Sequence, residues 1–349
     1  MDGNVRIDGG TVTMGEKSSN PTTTSLEGNM TVTKGDFNYY SGLIGGKVIL
    51  NGASTGEAVV HIMRDSTTTN SNILDIQNYG TFDLQADMNF LGTFSGAGTL
   101  TVEGKGNLTL SQNSQYVGNI FYSAGTLTLN AQNALGASGN LVLTEDHASI
   151  VTAADQNKNV TGKNLEMTVD TADHSAATWH GVFQLGSLDK KGSSSLVLGS
   201  TGSSIDLLSV SEGNLTSSGA DSFQQVTVNG EGKAASVSLS GKDKIATSLT
   251  TNGQNDTITL TGLTADVRRV SNVGKLILQE KTALTTDSAD QFGQDSQLLI
   301  SGASSFNVLS DFDLYNATLD NGTLISTGTL TLKGAVQSSA SELSASSIK

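Results

Sequence analysis

The sequence predicts an all-β protein that folds as a parallel β-helix, a solenoid whose turns, or rungs, contain about 20 residues and three short strands each. Three observations favour this fold. Apolar residues alternate with threonine or serine in many short runs, the runs recur at a nearly constant spacing, and the 349 residues include 40 glycines but a single proline. Alternation indicates strands with one buried face, and a chain almost without proline keeps its backbone donors for hydrogen-bond ladders.

The spacing is most regular between Phe94 and Gly136, where the strand-like runs are Thr99–Val102, Asn107–Leu110 and Thr126–Leu129. Leucines of the second run return in the third after 19 residues. Far along the chain, successive apolar positions are 21, 18, 22 and 19 residues apart, a mean of 20, at Leu239, Leu260, Leu278, Ile300 and Leu319. A period that persists through the chain is typical of a repeat protein.

An antiparallel sandwich or barrel is the main alternative, because the turn at Asp320-Asn321-Gly322 resembles that of a β-hairpin. Most other connections are longer and irregular, as in the segment 111–115. A leucine-rich repeat has a similar period but requires a recurrent asparagine that this chain lacks. The parallel coil therefore remains the preferred fold.

Strand patterns continue from Val5–Ile7 to the end of the chain, and no change of composition marks a linker, so residues 1–349 are predicted to form one continuous array. Three segments interrupt the pattern and are predicted to be irregular. They are the polar loop Gly15–Ser25, the aromatic loop Gly35–Gly42 and the segment Asp170–Phe183.

Charge excludes several classes of partner. The 33 acidic residues outnumber the 19 basic ones, giving a net charge of −14 and no basic run. Nucleic acid and anionic membrane surfaces are therefore not expected to bind. The chain has no cysteine, and no run of about 18 apolar residues that could span a bilayer. Its first residues lack the pattern of a signal peptide, so we expect a fragment of a longer chain.

Few residues are candidates for binding or chemistry. Aromatic rings in polar loops could stack on sugars or anchor a protein partner, at Tyr39, Tyr40 and Trp179-His180. They could instead pack over the core of the solenoid or cap one of its ends. His180 could also meet Asp170, Asp173 and His174 in a metal-binding loop. No cofactor is expected.

One pair of carboxylates is a weak candidate for a metal or catalytic site. Asp311 and Asp313, at i and i+2, lie on one face of a strand. Polysaccharide lyases with β-helix folds use clustered acids with calcium and a basic residue on such a face. No lysine or arginine lies near in sequence, although a neighbouring rung could supply one. A solvated strand face is the alternative.

The stretch Phe94–Gly136 resembles the autotransporter-associated β-strand repeat of Gram-negative type V secreted proteins. The resemblance rests on Gly-Ala-Gly-Thr-Leu-Thr-Val, Gly-Asn-Leu-Thr-Leu-Ser, Ala-Gly-Thr-Leu-Thr-Leu and Asn-Ala-Leu-Gly in that order. It implies a right-handed β-helical passenger domain at the cell surface, outer membrane-attached or secreted. Such a passenger would touch the membrane only through a translocator barrel, which this chain lacks.

The resemblance also implies a function. We expect a non-enzymatic adhesin that mediates self-association, biofilm formation or attachment to host glycans or proteins through an extended polar face. Two alternatives stay open, a glycan-active β-helix enzyme and a passive stalk that displays another domain.

Overall fold

A computed structural model describes residues 3–15, 25–67, 73–171, 175–217 and 219–349. These residues form strands and connections, and they contain no helix that is long and apolar enough to cross a membrane. Most of the predicted loop Gly15–Ser25, and the candidates Asp173 and His174, lie outside the described residues.

The chain divides into two compact units, which are described separately below. The N-terminal unit comprises residues 1–172 and 177–181, and the C-terminal unit comprises residues 173–176 and 182–349. That one continuous array joins them stays a prediction.

The N-terminal unit is built from short strands at nearly regular intervals. In chain order they are β1 Val5–Met14, β2 Ser25–Leu26, β3 Met30–Tyr39, β4 Leu43–Ile44, β5 Val48–Leu50, β6 Ala58–Ile62, β7 Ser66–Thr67, β8 Ile73–Ile76, β9 Tyr79–Leu84, β10 Met88–Phe90, β11 Thr93–Gly96, β12 Thr99–Gly104, β13 Leu108–Leu110, β14 Asn119–Tyr122, β15 Leu127–Leu129, β16 Asn140–Leu143, β17 His147–Thr152, β18 Asn159–Val169 and β19 Ala176–Trp179.

These strands stack in three parallel columns. The first runs β5–β8–β11, the second β6–β9–β12–β14–β16–β18, and the third β7–β10–β13–β15–β17–β18. The leucine pairs used to find the period are direct partners in the ladder, Leu108 with Leu127 and Leu110 with Leu129. A parallel coil with three strands in a rung is therefore confirmed for this unit.

In the C-terminal unit a short and a long strand alternate. The strands are β20 Phe183–Lys191, β21 Ser195–Leu198, β22 Ser204–Val210, β23 Gly213–Ser217, β24 Ser222–Val228, β25 Ala235–Ser240, β26 Lys244–Thr251, β27 Thr257–Thr261, β28 Thr264–Asn272, β29 Lys275–Gln279, β30 Ala283–Asp290, β31 Gln297–Ser301, β32 Ser305–Val308, β33 Phe312–Leu314, β34 Ala317–Asp320, β35 Thr323–Leu332, β36 Val336–Ser339 and β37 Glu342–Ile348.

Each long strand covers two sides of its rung. This is clearest in β35, which pairs with β32 along its first part and with the separate strand β33 along its last part. The short strands form the remaining side as the parallel column β21–β23–β25–β27–β29–β31–β34–β36. Its buried partners are the residues counted in the sequence, Leu239, Leu260, Leu278, Ile300 and Leu319, each at most 1% exposed.

The turn at Asn321-Gly322, which resembles a hairpin turn in sequence, does not join a hairpin. Its flanking strands β34 and β35 pair with different neighbours, all in parallel. Asn321 has a φ of +53°, a conformation that asparagine tolerates better than most residues. The dipeptide therefore turns the chain from one side of a rung to the next.

Asparagine and aspartate side chains link the rungs of the N-terminal unit at their corners. Asp87 Oδ1 accepts a hydrogen bond from the Asn107 backbone N–H at 2.8 Å, and Asn107 Oδ1 accepts one from Thr126 N–H at 2.7 Å. Asn4 and Asn29 form a second such series, ending on the N–H of Lys47. In all these bonds the side chain belongs to the earlier rung.

Candidate functional site

The predicted aromatic loop Gly35–Gly42 is largely strand, since β3 extends to Tyr39. Tyr39 is 8% exposed, its ring lies 6.3 Å from that of Phe37, and its hydroxyl donates to the carbonyl of Gly42 at 2.8 Å. Burial raises the pKa of this hydroxyl. Tyr40 is half-buried. Of this pair, only Tyr40 keeps a ring within reach of a partner.

The segment Asp170–Phe183, predicted to be irregular, contains the strand β19. Trp179 is 1% exposed, and its indole Nε1–H donates to the carbonyl of Lys158 at 2.6 Å. His180 is exposed, and its backbone N–H donates to the carbonyl of Gln156 at 2.7 Å. Trp179 is therefore a core residue, and His180 alone faces solvent.

A period-2 signal marks both segments as strands. Phe37 and Tyr39 are buried on either side of half-buried Asn38, and Ala177 and Trp179 are buried in the same alternation. Rings at i and i+2 point to one face of a strand, which here is the inner face. Between Gly35 and Gly42 the run of aromatic residues suggested a loop, because it drew attention away from this alternation of buried and half-buried positions.

The carboxylates Asp311 and Asp313 are exposed at the start of β33. The next rung supplies the basic residue absent from their own, because Lys333 Nζ lies 2.7 Å from Asp313 Oδ2. This hydrogen bond lowers the pKa of Asp313 and raises that of Lys333. Asp311 Oδ1 accepts the backbone N–H of Thr329 at 2.7 Å.

A groove of about 570 Å³ opens beside this pair. It lies between residues 289–293 and residues 311–315, with Lys333 at its edge, and we call it the acidic groove. Phe292 and Phe312 contribute to its lining, are nearly fully buried and meet edge to face with ring centroids 4.9 Å apart. Asp290, on the opposite wall, is held by Arg269 at 2.7 Å.

An uncharged surface covers the short strands of the C-terminal unit. Their outward middle positions pair from rung to rung, and we call them the outer column. They are Val197, Thr216, Ser238, Thr259, Ile277, Leu299, Thr318 and Gln337. All are partly or fully exposed, and none is charged.

A charged cluster on the N-terminal unit was not predicted. His61 lies between two carboxylates, with Nδ1 2.7 Å from Asp83 Oδ2 and Nε2 3.2 Å from Asp36 Oδ1. A carboxylate without its proton only accepts hydrogen bonds, so both contacts are made at once only by the imidazolium form. His61 and Asp83 are direct ladder partners 22 residues apart, whereas the ladder partner of His61 on the other side is Asn38, two residues from Asp36. Aligning charged residues on the period would have found the pair of His61 and Asp83 but not Asp36.

Within the described ranges, no group of three or more histidine, aspartate or glutamate residues is placed to hold a metal ion. Comparison with known proteins adds no relative: no family model matches the chain, and neither a curated protein nor a solved structure does so.

Proposed function

We propose that this protein is a non-catalytic adhesin, a rigid β-solenoid that attaches to an identical molecule or to a host surface. Many weak contacts along an extended face would provide the attachment, multiplied by the number of molecules displayed. The resemblance of residues 94–136 supports placing it among autotransporter passengers, exported to the surface of a Gram-negative cell. Both the family and the location are part of the proposal.

The outer column is the observation that carries the proposal. Parallel strands are about 4.8 Å apart, so its hydroxyl, amide and aliphatic groups form a regular array over eight rungs. The Ser236 hydroxyl donates to Asn214 Oδ1 at 2.9 Å, and Gln279 Nε2 donates to Thr261 Oγ1 at 3.1 Å. Side chains beside the outer column are therefore hydrogen-bonded to one another from rung to rung.

Charge favours this face over others for contact between copies. With a net charge of −14, two molecules repel unless the surfaces that meet carry few acids. The outer column carries none, and only Lys275 and Asp320 are charged among its strand neighbours. Like copies can thus approach here with little repulsion.

Beads coated with the whole chain test the proposal by their clustering in physiological salt. We expect the wild-type protein to cluster beads or to bind them to host cells, and Thr259→Glu to reduce either effect at least about threefold, since it places a carboxylate in the centre of the column. Thr109→Glu is the matched control, because Thr109 is an outward threonine on β13 of the other unit.

Beads that neither cluster nor bind host cells more than bare beads would exclude an adhesin. Equal loss in Thr259→Glu and Thr109→Glu would instead place the contact elsewhere than on the outer column.

A further inference from the structure

We propose that the acidic groove binds an uncharged saccharide. The groove belongs to β30, β33 and the connections that follow β30, β33 and β35 or precede β33, none of which contributes to the outer column. The inference therefore goes beyond the proposed function and does not depend on it.

The size and rigidity of the groove suit a short oligosaccharide. Small-molecule sites usually enclose about 300–1,000 Å³, and this groove holds about 570 Å³. Phe306 completes the aromatic cluster beneath it, at 5.9 Å from Phe312 and 6.1 Å from Phe292. A packed cluster of three rings keeps the groove open without a ligand, so little ordering is required on binding.

The groups that line the groove match hydroxyl groups. Carboxylates only accept hydrogen bonds and an ammonium only donates, whereas each sugar hydroxyl can do both. Asp311 and Asp313 can accept from a ligand, and Lys333 can donate to it. The Lys333 ammonium lies over the half-buried ring of Tyr315, 5.8 Å from its centroid, so this ring helps to hold the donor at the edge of the groove.

Charge selects against acidic sugars. Asp290, Asp311 and Asp313 line the groove, and Lys333 is the only basic residue of its lining. A uronate would add a carboxylate to this field and be repelled. The neutral sugar is therefore favoured over the acidic polysaccharide that a lyase of this fold class would take.

Gly293 provides a way to close the groove without removing a contact. A Cβ at this position would meet nothing nearer than the Gln291 carbonyl at 4.0 Å, and the backbone is not in the left-handed region. The fold thus tolerates a long side chain at 293, and because Gly293 lines the groove we expect such a side chain to reduce the space open to a ligand.

Saturation-transfer NMR on the full chain tests the proposal, with maltotriose, cellotriose and N,N′,N″-triacetylchitotriose as neutral probes and trigalacturonate as the acidic one. We expect at least one neutral trisaccharide to bind with a Kd of about 0.1–5 mM. Gly293→Gln should weaken this binding at least about tenfold, and Tyr315→Ala about fivefold. Tyr79→Ala, at a half-buried tyrosine of the N-terminal unit to which no binding role is assigned, is the control and should bind like the wild type.

Three results would each overturn the proposal: no saturation transfer to any neutral probe, undiminished transfer in Gly293→Gln, or tighter binding of trigalacturonate than of all neutral probes. The thermal midpoint of each variant confirms that it is folded. Bead clustering should stay unchanged in Gly293→Gln, so failure here is distinguishable from failure of the adhesin proposal. Release of new reducing ends would identify an enzyme and overturn the assignment of the groove as a simple binding site.

Discussion

At the scale of single residues, two buried lysines bind backbone carbonyls instead of carboxylates. Lys190 Nζ donates to the carbonyls of Gly192, Ser194 and Glu212, and burial lowers the pKa of Lys190 to about 8. Lys158 Nζ donates to Gly118 and Ser138 in earlier rungs, and burial lowers its pKa to about 8 as well. Each ammonium links segments that the strand ladders leave apart.

Replacing Lys190 with methionine keeps the apolar stem but removes all three donors. We expect Lys190→Met to lower the free energy of unfolding by about 2–4 kcal/mol, because buried carbonyls then lose their partners. Urea denaturation at pH 7 measures the change. Lys244→Met, at an exposed position, should stay within about 0.5 kcal/mol of the wild type. Equal effects of the two variants would contradict the linking role.

A serine hydroxyl in the C-terminal unit lies within hydrogen-bond distance of two buried carboxylates. Ser217 Oγ lies 2.7 Å from Asp243 Oδ1 and 2.9 Å from Asp221 Oδ2, yet it has one hydrogen to donate. Burial raises the pKa of Asp221, and the neighbouring charge of Asp243 adds to the shift. A proton on Asp221 would supply the missing donor to the serine.

The raised pKa of Asp221 fixes the sign of a pH dependence. Its contribution to stability is complete below the unfolded pKa of 3.8 and is lost as pH rises through the higher folded pKa. Asp221→Asn mimics the protonated side chain at every pH. We therefore expect the thermal midpoint of Asp221→Asn, measured relative to that of the wild type, to increase between pH 4 and pH 8.

Asp206→Asn, at an exposed aspartate, is the control and should show no such trend. An Asp221→Asn difference that is constant with pH would rule out the shared proton.

At the scale of elements, stability depends on apolar residues that stack from rung to rung. Leu260 on β27 lies between Leu239 and Leu278 in the ladder and has no exposed surface. Each strand buries few residues, so a cavity at Leu260 removes packing contacts from both neighbouring rungs.

Truncating Leu260 should therefore be costly. We expect Leu260→Ala to lower the free energy of unfolding by about 2–5 kcal/mol, measured by urea denaturation. Leu299→Ala, on the outward face of β31, should cost less than about 1 kcal/mol because the side chain already contacts water. A small effect at Leu260 would mean that the rungs repack around the missing side chain.

Sequence periodicity predicted the elements well where small polar residues alternate with leucine. It failed at Phe37–Tyr39, where aromatic density suggested a loop, and at Ala177–Trp179, within the segment predicted to be irregular. In both places the burial alternates as in any strand. The sequence left open that a neighbouring rung supplies a basic residue to Asp313, and Lys333 of the next rung is such a residue. Its identity could not be predicted, because irregular loops between rungs blur the register by several residues.

At the scale of the whole molecule, acidic charge opposes association. Salt screens charges separated by more than about 10 Å at 0.1 M ionic strength, while short contacts between uncharged groups are unaffected. Self-association through the outer column should therefore strengthen as salt is added.

We expect clustering of coated beads to rise between about 10 and 150 mM NaCl and then to level off. Sucrose at matched osmolality controls for solution effects. Clustering that falls steadily with salt would instead indicate attraction between opposite charges, and would direct attention to clusters such as that around His61.

The corner bonds of the N-terminal unit give the stack a direction. In these aspartate and asparagine bonds the oxygen belongs to the earlier rung and the backbone N–H to the later one, as at Asp87 and Asn107. Losing a later rung therefore exposes side-chain oxygens to water, and losing an earlier one exposes main-chain N–H groups. The two ends of the stack thus differ chemically at these corners, with side-chain acceptors at one end and main-chain donors at the other.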